Sequence, residues 1–210
     1  IQTFALGLLE DATSGQHPFG ALIVPPMADA LNIPHSNPVI GVVAPDANLG
    51  QYAGFYIGKV CLFEEREPTG RSDNTEKMEK MLEKDNDNHF DGHRYAKARM
   101  LDVMIGDWDR HEDQWRWQRG KDDNGNLMYT GVPRDRDQTL YTREAIEDVA
   151  ARRWILPPLQ GFDGKITDVR YSMFKSRFMN PYPESKFSYT EWMKIAAEVK
   201  ATLTDTVFEE

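Results

Sequence analysis

The sequence predicts an α+β fold that is mostly α, and three stretches carry that expectation. Residues 91–105, DGHRYAKARMLDVMI, repeat apolar positions at helical spacing. Residues 114–133 alternate Trp115 and Trp117 with charged neighbours, pass through an Asn-Gly pair and return as LMYTGVP, the pattern of a β hairpin. The tail KFSYTEWMKIAAEVKATLTDTVFEE, 186–210, is again amphipathic at helical spacing.

The remaining elements follow in chain order. TFALGLLEDAT, 3–13, places Phe4, Leu6, Leu8 and Leu9 as a short helix would. PFGALIVPPMADALNIP, from Pro18, predicts a buried helix broken at Pro25–Pro26, because proline lacks a backbone donor and clashes with the preceding turn. Residues 34–50 are rich in Pro, Asn, Asp and Gly around a short strand, VIGVV at 39–43. YIGKVCLFEE, 56–65, reads as a second strand with Cys61 in the core, closed by Pro68-Thr69-Gly70. Residues 71–92 read as a solvated helix with a narrow stripe of Met78, Met81 and Leu82, then a polar loop. On the 91–105 helix, Tyr95, Ala98, Leu101 and Ile105 share a face, Arg94, Lys97 and Arg99 are expected in solvent, and Gly106 suits a left-handed helix end. In the tail, Trp192, Ile195, Ala196, Val199 and Leu203 form the buried stripe, with Ser188 or Thr190 as N-cap and Glu191 nearby. Composition breaks most sharply near 66–75, which divides the chain into 1–68 and 69–210.

At 210 residues and 40% hydrophobic content, the chain is long and apolar enough for a sizeable core. A net charge of −9 argues against a general nucleic-acid or anionic-membrane surface. One cysteine permits neither an intrachain disulfide nor a CxxC site, and no apolar run is long enough to span a membrane. Opening on Ile1 in a helical pattern, the sequence reads as a piece of a longer protein with neighbouring domains.

The most informative stretch is MIGDWDRHEDQWRW, Met104 to Trp117. With Asn124–Gly125 at the hairpin centre, Gln114 faces Asp135 and Glu112 faces Asp137, allowing a slip of a residue or two. Asp107, Asp109, Glu112, Asp113, Asp135 and Asp137 then converge within roughly 10 Å, about two strand spacings. Carboxylates held together repel unless cations balance them. Either Arg110, Arg134 and Arg136 do so as a structural ion-pair network, or a divalent metal does.

Other constellations are weaker. His89 and His93 have a metal-like spacing, but Gly92 interrupts the helix needed to align them and no third ligand follows. A calcium loop starting at Asp87 puts Gly92 sixth but Ala98 twelfth, where a bidentate acid is required. Trp108, Trp115 and Trp117 suit a sugar or base platform, or more simply a core cap.

GDWDRHEDQ followed by RDRDQTL resembles the atypical kinase-fold group that includes HipA toxin kinases, Golgi secretory casein kinases and CotH spore-coat kinases. The wider order of HPFGALIVPPMADALNIPHSNP, CLFEEREP, IGDWDRHEDQWRW and PRDRDQTL is also similar to bacterial envelope proteins, chiefly of Bacteroidetes type, and covers most of the chain. The resemblance implies a protein-kinase-like C-lobe at 69–210, with the catalytic hairpin at 106–140, and a remnant of the small lobe and hinge at 1–68. It implies ATP with Mg2+ or Mn2+ as cofactors, an acceptor that is protein, sugar or lipid, and an envelope or periplasmic setting.

Carried over residue by residue, Asp109 would orient the acceptor hydroxyl, with Arg110 or Arg136 meeting the transferring group and His111 orienting the loop through backbone. Metal ligands would be Asp137, preferred over Asp135, and Gln114, which stands where the family usually shows Asn or Glu. Leu62, Phe63 and Glu64 would lie on the hinge beside the adenine, and Glu10 or Asp11 would partner a nucleotide lysine upstream of Ile1. A non-catalytic nucleotide-binding or scaffolding module of the same fold is the alternative, and a metal-dependent hydrolase a third reading.

Overall fold

The computed structural model describes residues 16–142, 161–166, 168–179 and 186–209. The helix expected at 3–13, with Glu10 and Asp11, lies outside those residues. Among those described, helices and two small sheets form a mixed α+β arrangement.

A 3-10 turn at Gly20–Ile23 leads into helix α1 (Val24–Ala30). Pro25 and Pro26 start this helix instead of breaking it. They occupy its first turn, where a backbone N–H makes no bond within the helix and a fixed φ is already helical. Strands β1 (Val39–Val42) and β2 (Val60–Phe63) pair antiparallel as a separate ribbon, with the one-turn helix α2 (Ala53–Tyr56) between them. The ribbon is not core: Val39, Val42, Val60 and Phe63 are exposed, and Cys61 is half-buried against the expectation of a buried thiol. Two strands without a packing layer cannot cover their own faces.

The second sheet runs in the order β3 (Ser72–Asp73), β5 (Trp115–Lys121), β6 (Leu127–Pro133), β4 (His89–Phe90). Between 71 and 92 the chain adds two short strands, β3 (Ser72–Asp73) and β4 (His89–Phe90), around helix α3 (Thr75–Lys84). Helix α4 (Gly92–Met104) leads to the hairpin of β5 (Trp115–Lys121) and β6 (Leu127–Pro133). Asp122 to Asn126 close it through a three-residue loop, with Gly125 at φ 86° and the Asp122 carboxylate accepting the N–H groups of Asn124 and Asn126. Trp115 therefore faces Pro133, one residue out from the expected two-residue turn, because the left-handed glycine adds a residue to the loop. Beyond it lie helix α5 (Val169–Ser172), helix α6 (Tyr189–Thr202), capped by a reciprocal Ser188–Glu191 box, and helix α7 (Asp205–Phe208).

One apolar cluster joins Val24 and Met27 of α1 and its C-cap Leu31 to Met78, Leu101, Trp115, Trp117 and Val199. Residues 24–33 thus share a core with the chain after residue 69. Trp115 and Trp117 are almost fully buried, their rings stacked with centroids 5.5 Å apart, so they cap the core and present no platform. Helix α4 buries more than its apolar stripe. Lys97 and Arg99, expected in solvent, are 7% and 2% exposed, because Glu198 and the Leu31 carbonyl receive Lys97, and Asp102 receives Arg99.

Candidate functional site

Helix α4 ends as its sequence requires. Gly106 takes φ 70°, and a Cβ there would lie 3.2 Å from Phe162 Cβ. The chain then turns into GDWDRHEDQ with Asp107 N–H donating to the Asp102 carbonyl at 2.8 Å.

Beneath this loop lies a buried ionic network. Asp102 accepts from Arg99, from Arg110 Nε at 3.3 Å and from Arg136. Asp107 accepts from Arg110 Nη2 at 2.5 Å and from Arg136 Nη1 at 3.2 Å. Burial pulls the Arg99 guanidinium down to about 10 and that of Arg136 to about 9, so both remain cationic at neutral pH. Arg110 also donates to the Gln114 side chain and the Arg134 carbonyl. Arg110 and Arg136, the residues expected to meet a transferring phosphoryl group, both lie in this network. Arg110 is fully buried and Arg136 6% exposed; Arg110 donates to Asp102, Asp107, Gln114 and the Arg134 carbonyl, and Arg136 to Asp102 and Asp107. For Asp107 the arginine-balanced alternative holds.

The outer carboxylates are different. Asp109, Asp135 and Asp137 approach one another at the open end of the hairpin, and Gln114 bridges the first two, its Nε2 3.5 Å from Asp109 Oδ2 and 3.2 Å from Asp135 Oδ2. Its oxygen is turned to Arg110 at 3.3 Å, so in this arrangement Gln114 links carboxylates and offers no oxygen to a metal. Asp135 sits at φ 57°, a left-handed conformation uncommon outside glycine, with its N–H held by both Glu64 oxygens at 3.0 and 3.2 Å. Asp137 is half-buried and accepts from the amides of Gln16 and Gln138. Burial, and then the neighbouring charge of Asp135, push its carboxyl up; the Gln138 hydrogen bond opposes, and Asp109 adds to the rise.

Surrounding elements fix this edge. His111 caps the turn at Glu112–Gln114 by accepting the Asp113 N–H at 3.4 Å. Ser176 Oγ donates to the Arg110 carbonyl at 2.6 Å, and Thr75 Oγ1 to that of Glu112 at 2.8 Å. Glu64 reaches across from the end of β2 to Arg134 at 3.1 Å and accepts from Ser36. Leu62 and Phe63 are exposed on the ribbon.

Sequence reasoning missed Asp102, Lys175, Gln16 and Gly20. Lys175 pairs with Asp109 and lies over the Trp108 ring, 4.9 Å from its centroid. A Cβ on Gly20 would stand 2.3 Å from the Thr139 carbonyl oxygen, so the HPFG stretch packs directly on the segment carrying Asp137. Asp102 had a readable signal, an acid among apolar positions of a helix; Lys175 had none, lying far along the chain from its partner.

Asp135 and Asp137 supply the hard oxygen donors that magnesium or manganese takes. Among the described residues, no three His, Cys, Asp or Glu side chains stand together at a spacing that holds a metal, the His89 and His93 pair included. His93 instead meets Glu198 at 3.0 Å. No helix among them is long and apolar enough to cross a membrane. A scan against protein-family models finds no matching family, and searches of curated proteins and of solved structures find no match.

Proposed function

We propose that this chain is a metal- and ATP-dependent phosphotransferase of the atypical kinase type, acting on a protein, sugar or lipid hydroxyl in a cell-envelope setting. The observation that carries the reading is the convergence of Asp109, Asp135 and Asp137 on a loop anchored from beneath by arginines. The protein has neutralised Asp102 and Asp107 but has left Asp137 without a cationic partner in contact among the described residues. A cation would complete that balance, with Asp135 and Asp137 as its carboxylate ligands and Gln114 reserved for bridging. When bound, Mg2+ or Mn2+ neutralises the phosphate charge and orients it for in-line displacement.

In this reading Asp109 holds the acceptor hydroxyl and takes its hydrogen bond, and proton acceptance there requires Lys175 to move off the carboxylate. Arg110 and Arg136 act as positioning residues that keep the loop in register. Glu64, through the Asp135 N–H, fixes the strained residue at the mouth of the site.

A nucleotide-binding module without turnover is the second reading, favoured by the Lys175–Asp109 pair and by the turned amide of Gln114. One experiment addresses both. Thermal unfolding is followed with ATP and Mn2+, with ATP and chelator, and after Asp137→Ala, alongside ADP release. Ligand at a hundred times Kd stabilises by about 2.7 kcal/mol, a rise of roughly 5–11 °C at this chain length. A metal-dependent rise lost in the variant, with ADP release, supports the transferase; the rise without turnover supports the binding module. No rise under any condition, in this chain and in one extended upstream of Ile1, removes both.

A further inference from the structure

A second concave surface lies along β3, an edge strand of the four-stranded sheet. A hollow of about 420 Å³ there is lined by Arg71, Ser72, Asp73, Lys77 and Arg119, and none of Asp109, Asp135 or Asp137 borders it. Three cations thus surround one carboxylate, a surplus of two positive charges in a chain of net charge −9. Asp73 does not account for that surplus. It is buried, and Lys77 at 2.7 Å, Arg119 Nε at 2.6 Å and the Tyr129 hydroxyl at 2.8 Å already satisfy it. Arg71 is exposed and has no hydrogen-bond or ion-pair partner among the described residues.

Two of these cations are held in place with donors to spare. Arg119 is anchored by Nε to Asp73 and lies over the Tyr129 ring, 5.8 Å from its centroid. No carboxylate or carbonyl among the described residues takes its terminal nitrogens. Lys77 meets Asp73 from the first turn of α3, and an ammonium with one such contact keeps further N–H groups for a ligand. The backbone of this edge is already closed: the Ser72 N–H donates to Glu67 at 3.2 Å, and its carbonyl accepts from Arg116 at 2.7 Å. The edge therefore offers side-chain charge to a partner, and not a ladder for another strand. Ser72, Asp73 and Lys77 also line an adjoining hollow of about 410 Å³, bordered by Arg66 and Arg116, which leaves room for whatever bears the anion.

A fixed guanidinium beside a second guanidinium and an ammonium matches the oxygens of a phosphate monoester, which carries about −1.5 to −2 charge at neutral pH. A lone carboxylate or a phosphodiester would cancel only half of the surplus. We propose that the hollow along β3 binds a phosphate monoester, received by Arg71, Lys77 and Arg119, with Asp73 holding the last two in position. The same group arrives on a phosphorylated side chain or on a small metabolite, and these donors meet both alike. The site is separate from the acidic edge and does not depend on phosphoryl transfer there.

The test is calorimetric titration of the chain at about pH 7.5 with glycerol 3-phosphate, N-acetyl-O-phosphoserine methylamide and, as a singly charged control, dimethyl phosphate. The expected result is one equivalent of either monoester, with dimethyl phosphate at least roughly tenfold weaker. Tighter binding of the phosphoserine compound assigns a protein-borne phosphate and tighter glycerol 3-phosphate a metabolite; either order satisfies the proposal. Arg71→Ala removes an exposed, unpartnered side chain, so Tm should stay within about a degree while monoester binding weakens roughly tenfold or more. The metal-dependent rise with ATP that Asp137→Ala tests should be unchanged in Arg71→Ala. Dimethyl phosphate binding as tightly as the monoesters, monoester binding unchanged in Arg71→Ala, or no binding of either monoester overturns the proposal. So does loss of the ATP response in Arg71→Ala, since the two sites would then be one.

Discussion

Asp102→Asn tests whether the buried ionic network holds the candidate site in place. The substitution keeps the side-chain shape and removes the charge that three guanidiniums share. Asp107 then faces Arg99, Arg110 and Arg136 alone, and the new amide N–H₂ points donors at donors. Removing one partner from a buried pair costs about 3–5 kcal/mol, because the remaining charge stays desolvated and unpaired. For a chain of this length each kcal/mol lowers Tm by about 2–4 °C, so the expected loss is roughly 6–20 °C. Urea unfolding followed by tryptophan fluorescence measures the change directly, since Trp115 and Trp117 are buried in the same core. A cycle with Arg136→Met isolates the shared term, and the double variant should lose less than the sum of the singles by about 1 kcal/mol or more. A loss below about 1 kcal/mol for Asp102→Asn, or strict additivity in the cycle, would refute the hub assignment.

Asp137→Asn has the opposite sign: with its carboxyl pushed up in the fold, ionised Asp137 destabilises the ligand-free chain at neutral pH. The variant should therefore be more stable than the parent near pH 7, and the gain should shrink as pH falls through the raised folded pKa, as urea midpoints across pH would show. At Asp73, burial raises the carboxyl, but hydrogen bonds from Lys77, Arg119 and Tyr129 outweigh it and bring it down to about 2. Its contribution, about 2 kcal/mol, is full above the unfolded value near 3.8 and lost as pH falls toward 2; Asp73→Asn should flatten the acid limb of the stability profile. Gly106→Ala forces a side chain into a left-handed position against Phe162 and should cost about 1–2 kcal/mol by urea unfolding. Lys175→Met frees Asp109, and under the transferase reading it should raise the rate of ADP release at neutral pH while leaving Tm within a few degrees.

The periodic elements were legible in the sequence because their physics is local. The 91–105 helix with its terminal glycine, the hairpin bringing GDWDRHEDQ to PRDRD, and the Ser188 cap with its Ile195, Val199 and Leu203 stripe all follow from spacing and end chemistry over a few residues. Convergence of Asp109 and Asp135 also followed, since even a one-residue change of register leaves both at the same hairpin end.

What the sequence left open was how each charge is balanced, because ion pairing depends on which groups from distant segments are desolvated together. Spacing placed Asp107 and Arg136 beside the outer acids, yet the fold buries them with Asp102 and Arg99, residues that α4 would present to water if nothing packed there. Likewise, Lys175 reaches Asp109 from 66 positions along the chain, and Gln16 reaches Asp137 from 121. The elements that local patterning determined are those whose hydrogen bonds and apolar stripes close within a turn or a hairpin. The division of one acidic cluster into an inner layer neutralised by arginines and an outer edge where Lys175 meets Asp109 and Asp137 has only amide partners was decided by tertiary packing, which sets the local dielectric and so the cost of leaving a charge alone.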